Sequence, residues 1–75
     1  MSQTTWQPIN SSNIARLGYA PELEKLYVEF RATGTVVEYD DVSESEFAAL
    51  MAADSKGQHF STHIRNNPNH QWRYV

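Results

Sequence analysis

The side chains best able to do chemistry in this sequence are concentrated between Ser55 and Val75. Every charged residue of that segment is basic, and the segment also contains aromatic rings. Such a mixture is typical of sites for single-stranded nucleic acid, because phosphates bind the cations and bases stack on the rings. We therefore predict that this segment binds RNA or another polyanion. The predicted binding residues are Ser55, Lys56, Gly57, Arg65, Trp72, Arg73 and Tyr74.

Ser55-Lys56-Gly57 stands where a second helix is expected to begin. Free backbone N–H groups, a hydroxyl, a lysine and a glycine that admits a close ligand together suit an anion. The Gly-x-x-x-x-Gly-Lys spacing of a phosphate-binding loop is absent. The alternative is a capped turn in which Gly57 permits close packing. Arg65 either joins the anion site or caps the last helical carbonyls.

The aromatic residues Trp72 and Tyr74 also have two interpretations. They can offer stacking platforms to bases, or they can close the core of a chain that has few residues with which to build one. Asn66, Asn67, Asn69 and Gln71 could add hydrogen bonds to base edges. The segment has only three cations, and each phosphate neutralised in a single strand changes the slope of log affinity against log salt by roughly 0.7. Binding at physiological salt is therefore predicted to be weak.

A histidine pair and the serines are the candidates for metal binding and catalysis. His59 and His63 are four residues apart, which places two imidazoles on one helical face, and His70, Asp40 or Asp41 could supply a third ligand. Two partly exposed histidines beside an apolar stripe explain the spacing equally well. No serine has an evident His–acid partner. We predict no catalytic residue, no metal, no other cofactor and no enzymatic activity.

Length and composition favour one small domain. The chain has 75 residues, no cysteine and a net charge of -3, and no apolar run approaches the roughly 20 residues of a membrane span. Residues 1–5 lack the basic and apolar regions of a signal peptide. We expect a soluble cytoplasmic protein.

All charged residues from Glu38 to Asp54 are acidic. This acidic block either gives the molecule one negative and one positive end or packs against the basic segment and neutralises it.

Three segments predict β-strands. Residues 13–19 alternate, with Ala15, Leu17 and Tyr19 expected on one face and Ile14 on the other. Residues 26–30 alternate with the apolar side chains inward, and residues 35–40 are rich in β-branched side chains. A hairpin loop at 31–34 ends on Gly34, which supplies a positive φ. Residues 1–10 are predicted to be a flexible or loosely docked arm, and residues 11–75 the domain.

Two helices should follow the strands. Ser43 and Glu46 have the spacing of a capping box, and this helix should end near Ala53. A second helix begins at Asp54 or Ser55, buries Phe60 and Ile64, and stops at residues 66–69. Residues 71–75 form a short edge strand or an ordered tail. The predicted fold is α+β: a three-stranded antiparallel meander followed by two short α-helices packed on one face.

The sequence resembles the KTSC domain family from Ser11 to about Arg65. The family occurs at the end of some lysyl-tRNA synthetases and as small bacterial or phage proteins. Its Tyr-x-Tyr pair reads Val37-Glu38-Tyr39 here, so one of the two phenols is missing. The residues that carry the resemblance are Ser11-Ser12-Asn13-Ile14-Ala15, Gly18-Tyr19, Leu26-x-Val28-x-Phe30, Tyr39, Val42, Leu50, Ala53, Ser55-x-Gly57, Phe60 and Ile64-Arg65.

The resemblance implies an α+β domain without a recognised catalytic activity, and its neighbour in synthetases has suggested RNA binding. The resemblance also marks Ser12, Asn13 and Tyr39 as candidate recognition residues. We expect them to share a sheet face with Tyr19 and Tyr27. That face is either a recognition surface or a buried polar network. We predict a small binding or adaptor domain for RNA. The alternative is a protein-interaction module of a phage or mobile element, which binds a host protein through the sheet edge or the acidic helix. A small nuclease or metal-dependent enzyme is the third hypothesis.

Overall fold

The computed structural model describes residues 5–75, which form a five-stranded antiparallel sheet and a layer of helices. The strands lie in chain order across the sheet. In chain order the elements are β1 (Thr5–Pro8), β2 (Ile14–Ala20), β3 (Lys25–Phe30), β4 (Val36–Tyr39), α1 (Glu44–Ala52), α2 (Lys56–Phe60), a π-helical turn (Ser61–Arg65) and β5 (Trp72–Tyr74). The predicted α+β class, antiparallel pairing and two helices are confirmed.

The number of strands was wrong, because the sheet has five strands where three were predicted. β1 lies within the segment predicted as a flexible or loosely docked arm, and β5 takes the place of the predicted edge strand or tail. Neither strand shows the alternation that reveals a half-buried strand. Only Trp6 of β1 is partly buried, and all three residues of β5 are exposed. Both edge strands are held by backbone pairing, which leaves little trace in a hydrophobic pattern.

The face of β2 was also predicted incorrectly. Ile14 pairs with Phe30 and Arg16 pairs with Glu29, so Ala15 is an extra residue in a β-bulge. The bulge shifts the alternation by one residue, and Ile14 is therefore buried on the same side as Leu17. Strict alternation cannot reveal such an insertion.

The core lies between one face of the sheet and the helices. Tyr19 and Tyr39 both align with Leu26 and so point to this face. The ring of Tyr19 stacks on Phe47 of α1 at 4.5 Å, and the ring of Tyr39 meets Phe60 of α2 edge-on at 5.3 Å. The layer of helices is thus anchored to the sheet through aromatic pairs.

Two local signals of the sequence are confirmed. The side chain of Ser43 accepts a hydrogen bond from the backbone N–H of Glu46, and the side chain of Glu46 accepts one from Ser43, which completes the capping box of α1. Gly34 has a φ of +70° in the hairpin between β3 and β4, and its N–H donates to the carbonyl of Phe30 at 2.8 Å. Both features are local, which is why sequence spacing predicts them.

The second helix is not a regular α-helix over its whole length. After Phe60 the chain winds into the π turn, where the N–H of Asn66 donates to the carbonyl of Ser61, five residues earlier, at 3.2 Å. Such turns are rare and often occur at functional sites. Each residue of a π turn rotates less about the helix axis than a residue of an α-helix does. Arg65 is therefore turned toward the helix face that carries Phe60.

Candidate functional site

A groove of about 570 Å³ opens between the β4–β5 edge of the core face and the helix formed by α2 and the π turn. Its volume lies within the range of ordinary ligand sites. Apolar and aromatic side chains predominate in its lining, and no acidic residue belongs to it. The residues predicted from the sequence that line it are Asn13, Tyr39, Gly57, Arg65, Trp72 and Tyr74.

Tyr39 lies at the bottom of this groove. The residue is only 3% exposed, yet none of the described residues, 5–75, forms a hydrogen bond with its hydroxyl. The same residues contain no fully buried side-chain oxygen that lacks a partner, so the hydroxyl must retain contact with the groove. Burial raises the pKa of Tyr39, and the nearby Arg65 charge opposes that rise without reversing it. The hydroxyl is therefore a neutral donor at physiological pH.

Arg65 is the cation of the groove. It ends the π turn and is exposed. Within residues 5–75 its guanidinium has no ion pair and no side-chain hydrogen bond. A guanidinium with free donors is suited to a carboxylate or phosphate.

Trp72 and Tyr74 form the exposed wall of the groove. Their side chains are 53% and 68% exposed, and their rings meet at 5.3 Å in an edge-to-face arrangement. Both residues therefore belong to the surface, and the alternative of core closure does not hold. They point to the same side because residues two apart on a strand do so.

Arg73 lies on the opposite face of the sheet, away from Arg65. Its guanidinium donates to Glu38 and, at 2.8 Å, to Asp40 Oδ2. Lys25 Nζ lies 3.2 Å from both of these carboxylates. Arg73 was predicted as a binding residue, but it does not join the groove, because strand alternation separates it from Trp72 and Tyr74 and acids neutralise it. This pairing also shows that the basic segment partly neutralises the acidic block.

The start of α2 is occupied by internal contacts. Ser55 Oγ accepts a hydrogen bond from the N–H of Gln58 at 3.4 Å, and Lys56 Nζ donates to the carbonyl of Ala53 at 3.2 Å. A Cβ on Gly57 would lie 3.0 Å from Ser11 Oγ. These groups close the turn between the helices, as the alternative interpretation of this motif stated, and only Gly57 among them reaches the groove.

The residues that the family resemblance marked as a recognition surface do not all lie at one place in the fold. Asn13 and Tyr39 line the groove, whereas Ser12 is an exposed loop residue outside its lining. Tyr27 does not share their face, because it points to the other side of the sheet and donates to Glu38 Oε2 at 2.7 Å. Tyr19 is on the core face but donates to the carbonyl of Val42 at 2.6 Å, away from the groove lining.

The histidine pair, His59 and His63, has no third ligand among residues 5–75. The rings of His59 and His63 are 4.3 Å apart, and burial together with the His63 charge lowers the pKa of His59. Over residues 5–75, no group of three or more His, Cys, Asp or Glu side chains is placed to hold a metal ion. The third histidine, His70, is buried and its Nε2 lies 2.7 Å from Glu46 Oε2.

Among the polar groups that complete the groove, the sequence had indicated Asn66 as a possible partner of base edges, whereas the hydroxyls of Ser61, Thr33 and Thr35 were missed. Asn66 and Ser61 line it beside Arg65, and Thr33 and Thr35 line it from the β3–β4 hairpin. Isolated hydroxyls carry no sequence pattern of their own, so only their tertiary positions reveal them. Across the described residues, no helix is long and apolar enough to cross a membrane.

These features define a small α+β domain with a layer of helices on a five-stranded sheet and a lined groove between them. The KTSC domain family matches residues 10–67, and the chain belongs to this family. A crystal structure of a KTSC domain protein from Yersinia pestis superimposes with a TM-score of 0.88 at 32% identity and covers 97% of this chain and 99% of its own. An uncharacterised protein from Stutzerimonas stutzeri is 37% identical over 65 residues, which are 87% of this chain and 90% of that protein.

Proposed function

We propose that this KTSC domain is a non-enzymatic binding domain that holds single-stranded RNA in the groove. The observation that carries the proposal is the meeting of Arg65, Trp72 and Tyr74 at one opening. An exposed ring can stack a base and the free guanidinium can bind a phosphate. Asn13 and Asn66 can donate and accept hydrogen bonds at base edges.

The charge of the molecule sets the strength of this binding. The net charge is -3, and Arg73, one of the predicted phosphate ligands, is paired with acids on the other face. Few phosphates can therefore be neutralised, and the affinity at physiological salt should be weak, with a Kd on the order of 10⁻⁴ M. The specificity of such a site comes from the rings and amides of the groove.

The experiment is a fluorescence titration with short RNA oligonucleotides of about eight nucleotides. Trp6 lies on the other face, 6.2 Å from Tyr27, so a Trp6→Phe background leaves Trp72 as the reporter. Binding should quench Trp72, and Arg65→Gln should weaken it. Arg16→Gln is the matched control, because Arg16 is paired with Glu29 at 2.8 Å outside the groove lining. Equal binding by both variants would contradict the proposal.

A second candidate is protein interaction, which the position of β5 favours. β5 is an edge strand with exposed side chains, and an extended peptide can pair with such an edge. The acidic helix offers Glu44, which is exposed, whereas Glu46 is engaged by Ser43 and His70. A partner that co-purifies with the chain and is lost in Glu44→Lys, with RNA binding unchanged, would support this candidate over RNA.

A further inference from the structure

The six lysines and arginines differ in whether their charge is available to a ligand. All but one are engaged by acids or carbonyls of the chain: Arg16 by Glu29, Lys25 and Arg73 by Glu38 and Asp40, Arg31 by the carbonyls of Ile9, Ser11 and Ile14, and Lys56 by the carbonyl of Ala53. Only Arg65 has neither kind of partner among residues 5–75. The groove therefore has a single available positive charge.

The surroundings of Arg65 suit one compact anion. Ser61 and Asn66 line the groove with it, and so does Tyr39, whose hydroxyl has no hydrogen-bond partner among residues 5–75. Guanidinium, hydroxyl and amide donors that line one groove suit the oxygens of a single phosphate. No acidic residue lines the groove to repel it.

The remaining wall suits one flat ring system. Trp72 and Tyr74 are exposed at the opening, and their edge-to-face arrangement leaves the two ring faces in different orientations. A volume of about 570 Å³ is in the range of sites for single small molecules. A phosphate bound outside the groove would meet a molecule of net charge -3 whose other cations are already paired.

We infer that the groove binds one nucleotide, with its phosphate on Arg65 and its base against Trp72 or Tyr74, and does not follow the backbone of a longer strand. The inference rests on the proposed function and restricts the ligand from a strand of RNA to a single nucleotide. The same chemistry is present in a free nucleoside monophosphate and in one unstacked nucleotide of an RNA strand.

The test compares nucleosides, nucleoside monophosphates and oligonucleotides of about eight nucleotides, using Trp72 fluorescence in the Trp6→Phe chain. Monophosphates and oligonucleotides should bind within about threefold of one another, and nucleosides roughly tenfold or more weaker. For the oligonucleotide, a plot of the logarithm of the binding constant against the logarithm of the salt concentration should have a slope of about -0.7, which is the value for one neutralised phosphate. Arg65→Gln should reduce monophosphate affinity to that of the nucleoside, and Arg16→Gln should not.

Each other outcome has a distinct meaning. Oligonucleotide affinity that rises with length, with a slope of about -1.4 or steeper, would overturn the single-nucleotide inference and leave RNA binding in place. Binding of monophosphates without oligonucleotides would support the site and overturn the RNA proposal. Absence of binding by both, in a chain shown to be folded by its cooperative unfolding, would overturn both.

Discussion

His70 Nε2 lies 2.7 Å from Glu46 Oε2, and His70 Nδ1 lies 3.0 Å from the carbonyl oxygen of Asp40. The imidazole thus joins the capping box of α1 to the end of β4. Because His70 lies two residues before β5, this contact also helps to fix the strand that carries Trp72 and Tyr74. The groove depends on a histidine that does not line it.

We expect His70→Ala to destabilise the fold by about 2 kcal/mol, because it removes a buried side chain together with its contacts to the Glu46 carboxylate and the Asp40 carbonyl. Urea unfolding measures the change. His63→Ala is the matched control, since His63 is exposed and should change stability by less than about 0.5 kcal/mol. Equal effects of the two substitutions would show that the His70 contacts contribute nothing specific.

Acid should destabilise the fold through three carboxylates. Burial favours the neutral form of Glu38 and Glu46, but hydrogen bonds from Tyr27 and Arg73 to Glu38, and from His70 to Glu46, outweigh it and lower the pKa of each. Hydrogen bonding to Arg73 lowers the pKa of Asp40. Because each pKa is lower in the folded chain, the stability from these groups is present above about pH 4 and is lost as the pH falls through the folded values.

Unfolding free energies measured from neutral pH down to about pH 2 check this expectation. Asp40→Asn should lower stability at neutral pH and make its decrease with acid shallower. Glu22, which is exposed and has no ion pair within residues 5–75, provides the control in Glu22→Gln. An unchanged pH profile in Asp40→Asn would contradict the assignment of acid sensitivity to this cluster.

Gly57→Ala should destabilise the domain by about 1 kcal/mol, although alanine is the better helix former, because the new Cβ would lie 3.0 Å from Ser11 Oγ. Ser11 cannot move freely, since its Oγ accepts hydrogen bonds from the N–H groups of Asn13 and Ile14. In a Ser11→Ala background, Gly57→Ala should be neutral or stabilising. A double-mutant cycle of unfolding free energies measures the coupling, and additive effects would exclude the steric explanation.

Two tyrosines provide a matched pair that separates folding from binding. Tyr39→Phe should change the free energy of unfolding by less than about 0.5 kcal/mol, because no described residue forms a hydrogen bond with the Tyr39 hydroxyl. The same substitution should weaken nucleotide binding. Tyr19→Phe should cost about 1–2 kcal/mol, because it removes the buried hydrogen bond to the carbonyl of Val42. Thermal unfolding and nucleotide titration of both variants provide the measurement. A stability loss in Tyr39→Phe equal to that in Tyr19→Phe would contradict an open hydroxyl in the groove.

The sequence alone determined the features that depend on neighbouring residues. The capping box of Ser43 and Glu46, the turn at Gly34 and the inward side chains of β3 follow from spacing within a few positions. The ordered family motif also indicated a KTSC domain, and the family match over residues 10–67 confirms it.

The tertiary structure decided everything that depends on which distant residues meet. The edge strands β1 and β5 are held by backbone pairing to a neighbour, so their side chains carry no burial pattern. The bulge at Ala15 and the π turn before Asn66 each insert a residue that strict periodicity cannot show. Arg65 and Arg73 are chemically equivalent in the sequence. Only the alternation of β5 and the acids on its outer face assign Arg73 to the ionic network and leave Arg65 for the groove.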